Sequence, residues 1–191
     1  GFALPSRLVF GVFRPRRRVL GSSLSGTVEA VGPGVTQFAP GDRVCGMTGL
    51  RMGAHAEFAA VQATRLVHVP DAVSHDDAAA VLFGGTTALH FLRDKGKVGP
   101  GMTVLVNGGS GAVGTNAVQF ACHSGATVTA TCSAANAALV AGLGAHHVVD
   151  YRVTPVETLT ERFDLVLDTV GNIGLAGGRR LLTERGMLLL A

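Results

Sequence analysis

Between Asn107 and Gly114 the chain reads Asn-Gly-Gly-Ser-Gly-Ala-Val-Gly, and Gly109, Gly111 and Gly114 fall in the spacing G-x-G-x-x-G. The flanks give that spacing its meaning. A strand-like apolar run, Thr103 to Val106, stands directly before it and a helix-forming run, AVGTNAVQFACHSG, opens within it. In such a strand-loop-helix unit the first glycine permits a tight turn, the second lets the backbone approach a pyrophosphate, and the third lets helix and strand pack closely. Unpaired amides at the helix N-terminus attract the same anion. Gly109, Ser110, Gly111, Ala112, Val113 and Gly114 are therefore the expected cradle of a dinucleotide, against the alternative of a turn that serves the fold alone.

Sites that grip NAD carry an Asp or Glu about 20 residues beyond the glycines, on the adenosine ribose. Here the second strand ends in TATCS, and no Asp, Glu, Lys or Arg occurs from Met102 through Val149. A carboxylate at that point would repel a 2′-phosphate, so its absence favours NADP(H), and the hydroxyl of Ser133 can donate to the phosphate. No Arg or Lys stands beside Ser133 in the sequence.

Other chemistry is harder to find. The seven histidines invite a metal reading, but His146 and His147 are neighbours on a strand-like segment, where successive side chains point to opposite faces. His55, His68, His75, His90 and His123 form no helical i, i+4 pair, so surface or packing roles are expected and no metal site is. Cys45, Cys122 and Cys132 are odd in number and widely spaced, which makes neither a disulfide framework nor a metal knuckle and fits a reducing cytoplasm. No nucleophile-base pair is recognisable, so the catalytic residues are unknown from the sequence.

The elements that must position the glycine loop alternate after the Gly99-Pro100-Gly101 turn. Strand-like TVLVN, TVTATCS, HHVVDY, FDLVLDTVG and MLLLA are separated by helical AVGTNAVQFACHSG, AANAALVAGLG, a short segment around Val156 to Arg162, and one around Gly174 to Leu182. Continuous apolar strands between helices predict a parallel sheet buried on both faces, and the right-handed crossover rule makes it doubly wound. Upstream, from Gly26 to Val69, short Val-rich runs broken by Gly and Pro predict an antiparallel β unit, with a tight turn at Pro40-Gly41-Asp42. Ser74 with Asp76 and Asp77 marks a helix N-terminus, and a second short helix is expected from about Thr86 to Asp94.

The chain has 191 residues, 47% hydrophobic and 15% charged, which is the composition of a globular protein. Its net charge of +3 is more than supplied by Arg14, Arg16, Arg17 and Arg18, a run expected to be a solvated loop. Nine Phe, one Tyr and no Trp give little surface for stacking bases, so no nucleic-acid partner is expected. No apolar run approaches the length of about 18 residues that spans a bilayer, so no membrane role is expected either. The first residue is not Met and the last run, MLLLA, reads as a strand, which suggests truncation at both ends.

Taken in order, GTVEAVGPGVTQFAPGDRVCGM, GAHAEFAAV, AAAVLFGGTTALHFL, VLVNGGSGAVGTNAVQFACHSGATV and GAHHVVDY resemble the quinone oxidoreductase-like, zinc-independent branch of the medium-chain dehydrogenase/reductases. The resemblance covers nearly the whole chain. It implies an α/β protein in which residues 1–95 form a partial GroES-like β domain with bridging helices, followed by a partial doubly wound Rossmann domain over 96–191. Substrate and nicotinamide would meet between them. It places Ser133 and Tyr151 at the 2′-phosphate, Thr87 near the cofactor, and Val170 with Gly171 close to the adenosine ribose. Tyr151 could equally be a packing residue at a strand end, and Thr87 could cap or pack a helix.

Two departures stand out. Related sequences often carry an arginine where this chain has Ala135. Zinc-dependent members carry Gly-His-Glu where it has Gly21-Ser22-Ser23, and serine is a poor zinc ligand. The implied activity is zinc-free hydride transfer from NADPH to a quinone or an α,β-unsaturated carbonyl, with a homodimer expected for the full-length parent. His55 and Met47 are candidates to face the cleft, although strand-end packing explains them as well. The alternatives are a catalytically silent dinucleotide-binding or redox-sensing protein, and an enoyl reductase domain cut from a multidomain synthase.

Overall fold

The computed structural model describes residues 18–191. Arg14, Arg16 and Arg17 lie outside the described residues, and Arg18 is exposed. The chain divides into two compact units, with the division between Leu82 and Phe83.

In the first unit the Val-rich runs form an antiparallel sheet of β1 (Ser23–Thr27), β2 (Arg43–Met47) and β3 (Leu66–His68), in that order. The turn before β2 follows from its residues. Pro40 presets its own φ, Gly41 takes φ +96°, and the Asp42 amide donates to the Ala39 carbonyl at 3.1 Å, a type II arrangement. Arg43 then donates to the carbonyls of Pro70, Asp71 and Val73 at 3.1, 3.3 and 2.6 Å, fastening the approach to the first helix.

That helix, α1 (His75–Leu89), starts as the sequence predicts: the Ser74 hydroxyl accepts the Asp77 amide at 3.0 Å, and Asp76 and Asp77 lie in its first turn. It does not stop where a second helix was expected. α1 runs unbroken through Gly84 to Thr87 and widens into a π-helical turn over His90–Lys95, closed by the Gly96 amide on the Phe91 carbonyl at 2.8 Å. Two glycines and two threonines are weak helix formers, but Ala88 and Leu92 are buried in the core of the second unit, and packing overrides propensity.

The second unit is a parallel sheet of β4 (Thr103–Asn107), β5 (Thr127–Cys132), β6 (His147–Asp150), β7 (Phe163–Asp168) and β8 (Leu182–Leu190), ordered β6-β5-β4-β7-β8. The helices between them are α2 (Ala112–His123), α3 (Ala137–Gly142) and α4 (Leu175–Leu181). Side chains alternate across the pleat, so Val104 and Val106 pack with Ala117, Val118 and Ala121 of α2, while Leu105 and Val166 pack on the other face with Leu181. Both faces are thus dry, and truncating a wholly buried leucine such as Leu165 to alanine costs about 2–5 kcal/mol.

Two expectations need correction. The segment around Val156 to Arg162 forms only a 3-10 turn over Val156–Thr158, because Leu159 returns to the extended conformation. The final strand is longer than MLLLA: β8 begins at Leu182, directly after α4, and is irregular between its pairings with Phe163 and Leu165.

Candidate functional site

Sequential strands β4, β5 and β6 step one way across the sheet, and the chain then returns to place β7 on the other side of β4. A crevice forms at the carboxyl ends of strands where the winding direction reverses, and ligands of doubly wound folds bind there. The glycine loop leaves β4 at that point.

Its turn is made by a glycine outside the G-x-G-x-x-G set. Gly108 takes φ +88°, and a side chain there would press on Thr169 and Val170, with Cβ 2.7 Å from Val170 Cγ2. Gly109, expected to make the turn, instead lets the loop lie on the sheet: an added Cβ would be 2.9 Å from Ala130 Cβ and 3.4 Å from Val140. At Gly111 an added Cβ would meet only the Gly108 carbonyl oxygen, at 3.4 Å, so the space beyond it is open to a ligand. Gly114 lets α2 close on the loop, since a Cβ there would overlap the Gly108 carbonyl oxygen and lie 2.8 Å from its carbon.

Helix α2 starts with Gly111 as its N-cap and no side-chain cap, and its Thr115 amide donates to the Gly111 carbonyl at 2.9 Å. The first-turn amides of Ala112, Val113 and Gly114 precede that rung and are the groups a helix N-terminus offers to an anion. Ser110 is held from the side, where the Asn136 amide nitrogen donates to its hydroxyl at 3.1 Å. Gly84 brings α1 against this turn: an added Cβ would overlap the Ala112 carbonyl oxygen and sit 2.7 Å from Asn116 Nδ2. Half-buried Thr87 lies three residues on, one turn along the same side of α1.

Ser133 and Tyr151 come together at adjacent strand ends. Cys132 pairs with Asp150, and the Tyr151 amide donates to the Cys132 carbonyl at 3.2 Å, directly before half-buried Ser133. The Tyr151 ring is 47% exposed, and the Arg152 guanidinium lies 6.0 Å from its centroid. Arg152 is thus a cation just past the end of β6, the strand paired with β5, and the Asp150 carboxylate at that strand end accepts the Arg152 backbone amide at 3.0 Å. No local motif singles out Arg152 in the sequence.

On the other flank, Val170 follows β7, with its side chain exposed and its amide donating to Asp168 Oδ1 at 3.0 Å. Gly171 takes φ +79°. Burial pushes the Asp168 carboxyl up, but donors from Ile173, Val170, Asn107 and Gly171 outweigh it and hold the group below the usual carboxylate range.

In the first unit Gly21 lies under His55, whose backbone nitrogen would be 2.8 Å from an added Cβ, and Met47 pairs opposite Ser23. His75 Nδ1 is 2.7 Å from Ser25 Oγ, His68 packs its ring on Phe38, and His146 Nδ1 accepts the Val128 amide at 3.1 Å. Among the described residues no three His, Cys, Asp or Glu side chains are grouped as a metal would require. No helix among them is long and apolar enough to cross a membrane.

A parallel sheet in this order, with a glycine loop at the reversal and a small antiparallel sheet before it, defines an α/β Rossmann fold preceded by a GroES-like part. Residues 7–71 match the alcohol dehydrogenase GroES-like domain, and residues 112–191 match the zinc-binding dehydrogenase family. The chain is 38% identical over 161 residues to the mitochondrial NAD(P)H oxidoreductase RTN4IP1 of Danio rerio, covering 80% of this chain and 42% of that protein. It is 36% identical over 190 residues to the erythronolide synthase EryA2 of Saccharopolyspora erythraea, covering 95% of this chain and 5% of that protein. The quinone oxidoreductase structure from Coxiella burnetii superposes with a TM-score of 0.87 at 28% identity, covering 97% of this chain and 58% of that one. The chain belongs to the medium-chain dehydrogenase/reductase superfamily, as a quinone oxidoreductase-like member. It spans somewhat over half of the Coxiella chain and 42% of the Danio protein.

Proposed function

We propose that this chain binds NADPH and that the protein it represents transfers hydride to a quinone or an α,β-unsaturated carbonyl without zinc. The observation that carries the reading is the glycine loop at the sheet's reversal, open at Gly111, with Ser133 following β5 and Tyr151 and Arg152 following β6; β5 itself ends without a carboxylate, and Asp150 opposite Cys132 accepts the Arg152 amide. The nucleotide-binding part is assigned to residues 96–191 and the GroES-like part with its bridging helices to 1–95.

In this reading the α2 amides and the Gly108–Gly114 backbone hold the pyrophosphate, while the Ser133 hydroxyl and the Arg152 guanidinium meet the 2′-phosphate. Tyr151 presents Arg152, Val170 lies along the adenosine ribose, and Thr87 stands on the side of the loop where α1 packs. Bound there, the nicotinamide supplies the hydride. The chain lowers the barrier by orientation, since two reactants held in place need no further encounter. The zinc-free reading is supported by Gly21-Ser22-Ser23 and by the histidines, of which His75 and His146 are engaged with Ser25 and Val128. A reducing compartment such as the cytoplasm fits the three free cysteines, and the full-length parent is assigned a homodimer.

Calorimetric titration with NADPH and NADH tests the cofactor, with tighter NADPH binding expected; equal affinity for both removes the 2′-phosphate assignment. NADPH consumption by the parent protein, with and without a quinone, separates an enzyme from a silent nucleotide-binding or redox-sensing protein. Metal analysis finding stoichiometric zinc sinks the zinc-free reading. A second reading, an enoyl reductase domain of a multidomain synthase, is favoured by the match to a synthase that covers 95% of this chain but only 5% of that protein. Reduction of an enoyl thioester in preference to a quinone is its signature.

A further inference from the structure

A buried polar chain crosses the sheet beneath the site, and every link has the same polarity. The Gly108 amide donates to Thr131 Oγ1 at 3.0 Å, and the Thr131 hydroxyl donates to Asn107 Oδ1 at 2.7 Å. Asn107 Nδ2 in turn donates to Asp168 Oδ1 at 2.8 Å and to Asn172 Oδ1 at 2.7 Å. Asp168 also accepts the amides of Val170 and Gly171 on Oδ1 at 3.0 Å each, and that of Ile173 on Oδ2 at 2.9 Å. Asn107, Thr131 and Asp168 are all buried, Asp168 completely.

These residues sit at the ends of three adjacent strands, β5, β4 and β7. The amide of Asn107 uses both its hydrogens and its oxygen, so its orientation is fixed by its partners. At one end of the chain is Gly108, the turn of the glycine loop; at the other is the 169–173 loop that carries Val170. The two loops also touch directly, since Val170 Cγ2 and Thr169 Oγ1 stand where a Gly108 side chain would go.

We propose that Asn107, Thr131 and Asp168 are positioning residues that hold the glycine loop and the 169–173 loop in one shared arrangement, the arrangement that binds the dinucleotide. This rests on the nucleotide reading above. A carboxylate accepts and never donates, so the whole series is oriented from Asp168 outward, and removing the middle hydroxyl leaves the part-buried Gly108 amide and the buried Asn107 side-chain oxygen without that partner at once. The coupling runs both ways: a change at Thr131 loosens amides around Asp168 that Thr131 does not touch.

The test compares Thr131→Val, nearly the same shape without the hydroxyl, with Thr131→Ser, which keeps it. NADPH affinity is measured well below the unfolding temperature, and amide hydrogen exchange is followed at Val170, Gly171 and Ile173. Thr131→Val is expected to weaken NADPH binding about ten-fold or more and to speed exchange at those amides, while Thr131→Ser restores both to within about two-fold. Val104→Ala, a core change at the other end of β4, is expected to lower thermal stability without weakening binding. Unchanged affinity in Thr131→Val, unchanged exchange at 170–173, or equal weakening in Val104→Ala overturns the proposal. If Thr131→Val does not fold, Asn172→Ala in the exposed loop takes its place, with about three-fold weaker binding expected and no change overturning it. Failure of the unaltered chain to bind NADPH overturns the nucleotide reading itself, whereas binding by that chain with Thr131→Val unaffected overturns the relay alone.

Discussion

Gly111 and Gly108 divide between them what a nucleotide loop requires. Gly108 holds the backbone in the left-handed region, and Gly111 keeps a face of the loop free of side chain. Their substitutions should therefore fail in different ways. Gly111→Val is expected to leave the melting temperature within a few degrees of the unaltered chain and to abolish NADPH binding, since an added Cβ there meets only the Gly108 carbonyl oxygen, at 3.4 Å. Retained affinity in a titration removes Gly111 from the site. Ser133→Asp places a carboxylate where a 2′-phosphate would lie, and is expected to shift the NADPH/NADH affinity ratio toward NADH by about ten-fold or more. Arg152→Ala should move the ratio the same way and by less, because the Arg152 side chain is exposed and its charge is screened. A ratio unmoved by both variants places the phosphate elsewhere. The spacing of Gly109, Gly111 and Gly114 was legible from the chain, but Arg152 as a candidate was not: it follows Asp150, which strand pairing between segments separated in sequence sets opposite Cys132.

The pairing of β4 with β7 is held at both ends by a carboxylate. Asp164 accepts the Thr103 amide at 2.9 Å, the Thr103 hydroxyl at 3.0 Å and the Thr183 hydroxyl at 3.1 Å, which joins three strands at their amino ends. The Thr103 amide chiefly lowers its pKa, against a smaller rise from burial, with the Thr103 and Thr183 hydroxyls lowering it further. Asp168 does the same at the carboxyl ends. A carboxyl whose folded value lies below its unfolded value adds stability above the unfolded value and loses it as pH falls through the folded one. Melting temperatures of this chain should therefore fall as the pH drops below the usual carboxylate range, and Asp164→Asn should be less stable than the parent near neutrality with a flatter acid limb. An acid limb identical in the two proteins removes Asp164 from the account. Strand existence was readable because β4, β5 and β7 are short runs of β-branched and apolar residues between turn and helix signals, whereas the length of α1 was not: Gly84 to Thr87 look like a break until Ala88 and Leu92 are seen to be buried.

At the scale of the whole molecule, the alternation of strands and helices after Pro100 was enough to foresee a doubly wound sheet, since parallel strands need crossovers and crossovers have one hand. Strand order makes the reversal beside β4, and with it the site, a property of topology that no local stretch contains. The antiparallel unit was equally readable in kind, from Gly and Pro punctuation, while its partners in sequence were set by turns such as the one at Gly41.

The same topology bears on how the chain reaches this state. β4 meets β5 across a single crossover, but it meets β7 only after some sixty residues have been gathered in, as the Thr103–Asp164 and Asn107–Asp168 bonds each join positions 61 apart. Loop closure of that length is an entropic debt incurred before its contacts form. The β4–β5 unit is expected to organise first and β7 to dock late. In stopped-flow experiments Val128→Ala in β5 should mainly slow refolding, and Leu165→Ala in β7 should mainly hasten unfolding. The reverse pattern would mean that the switch point is assembled at the outset, and that the crevice exists before the sheet around it.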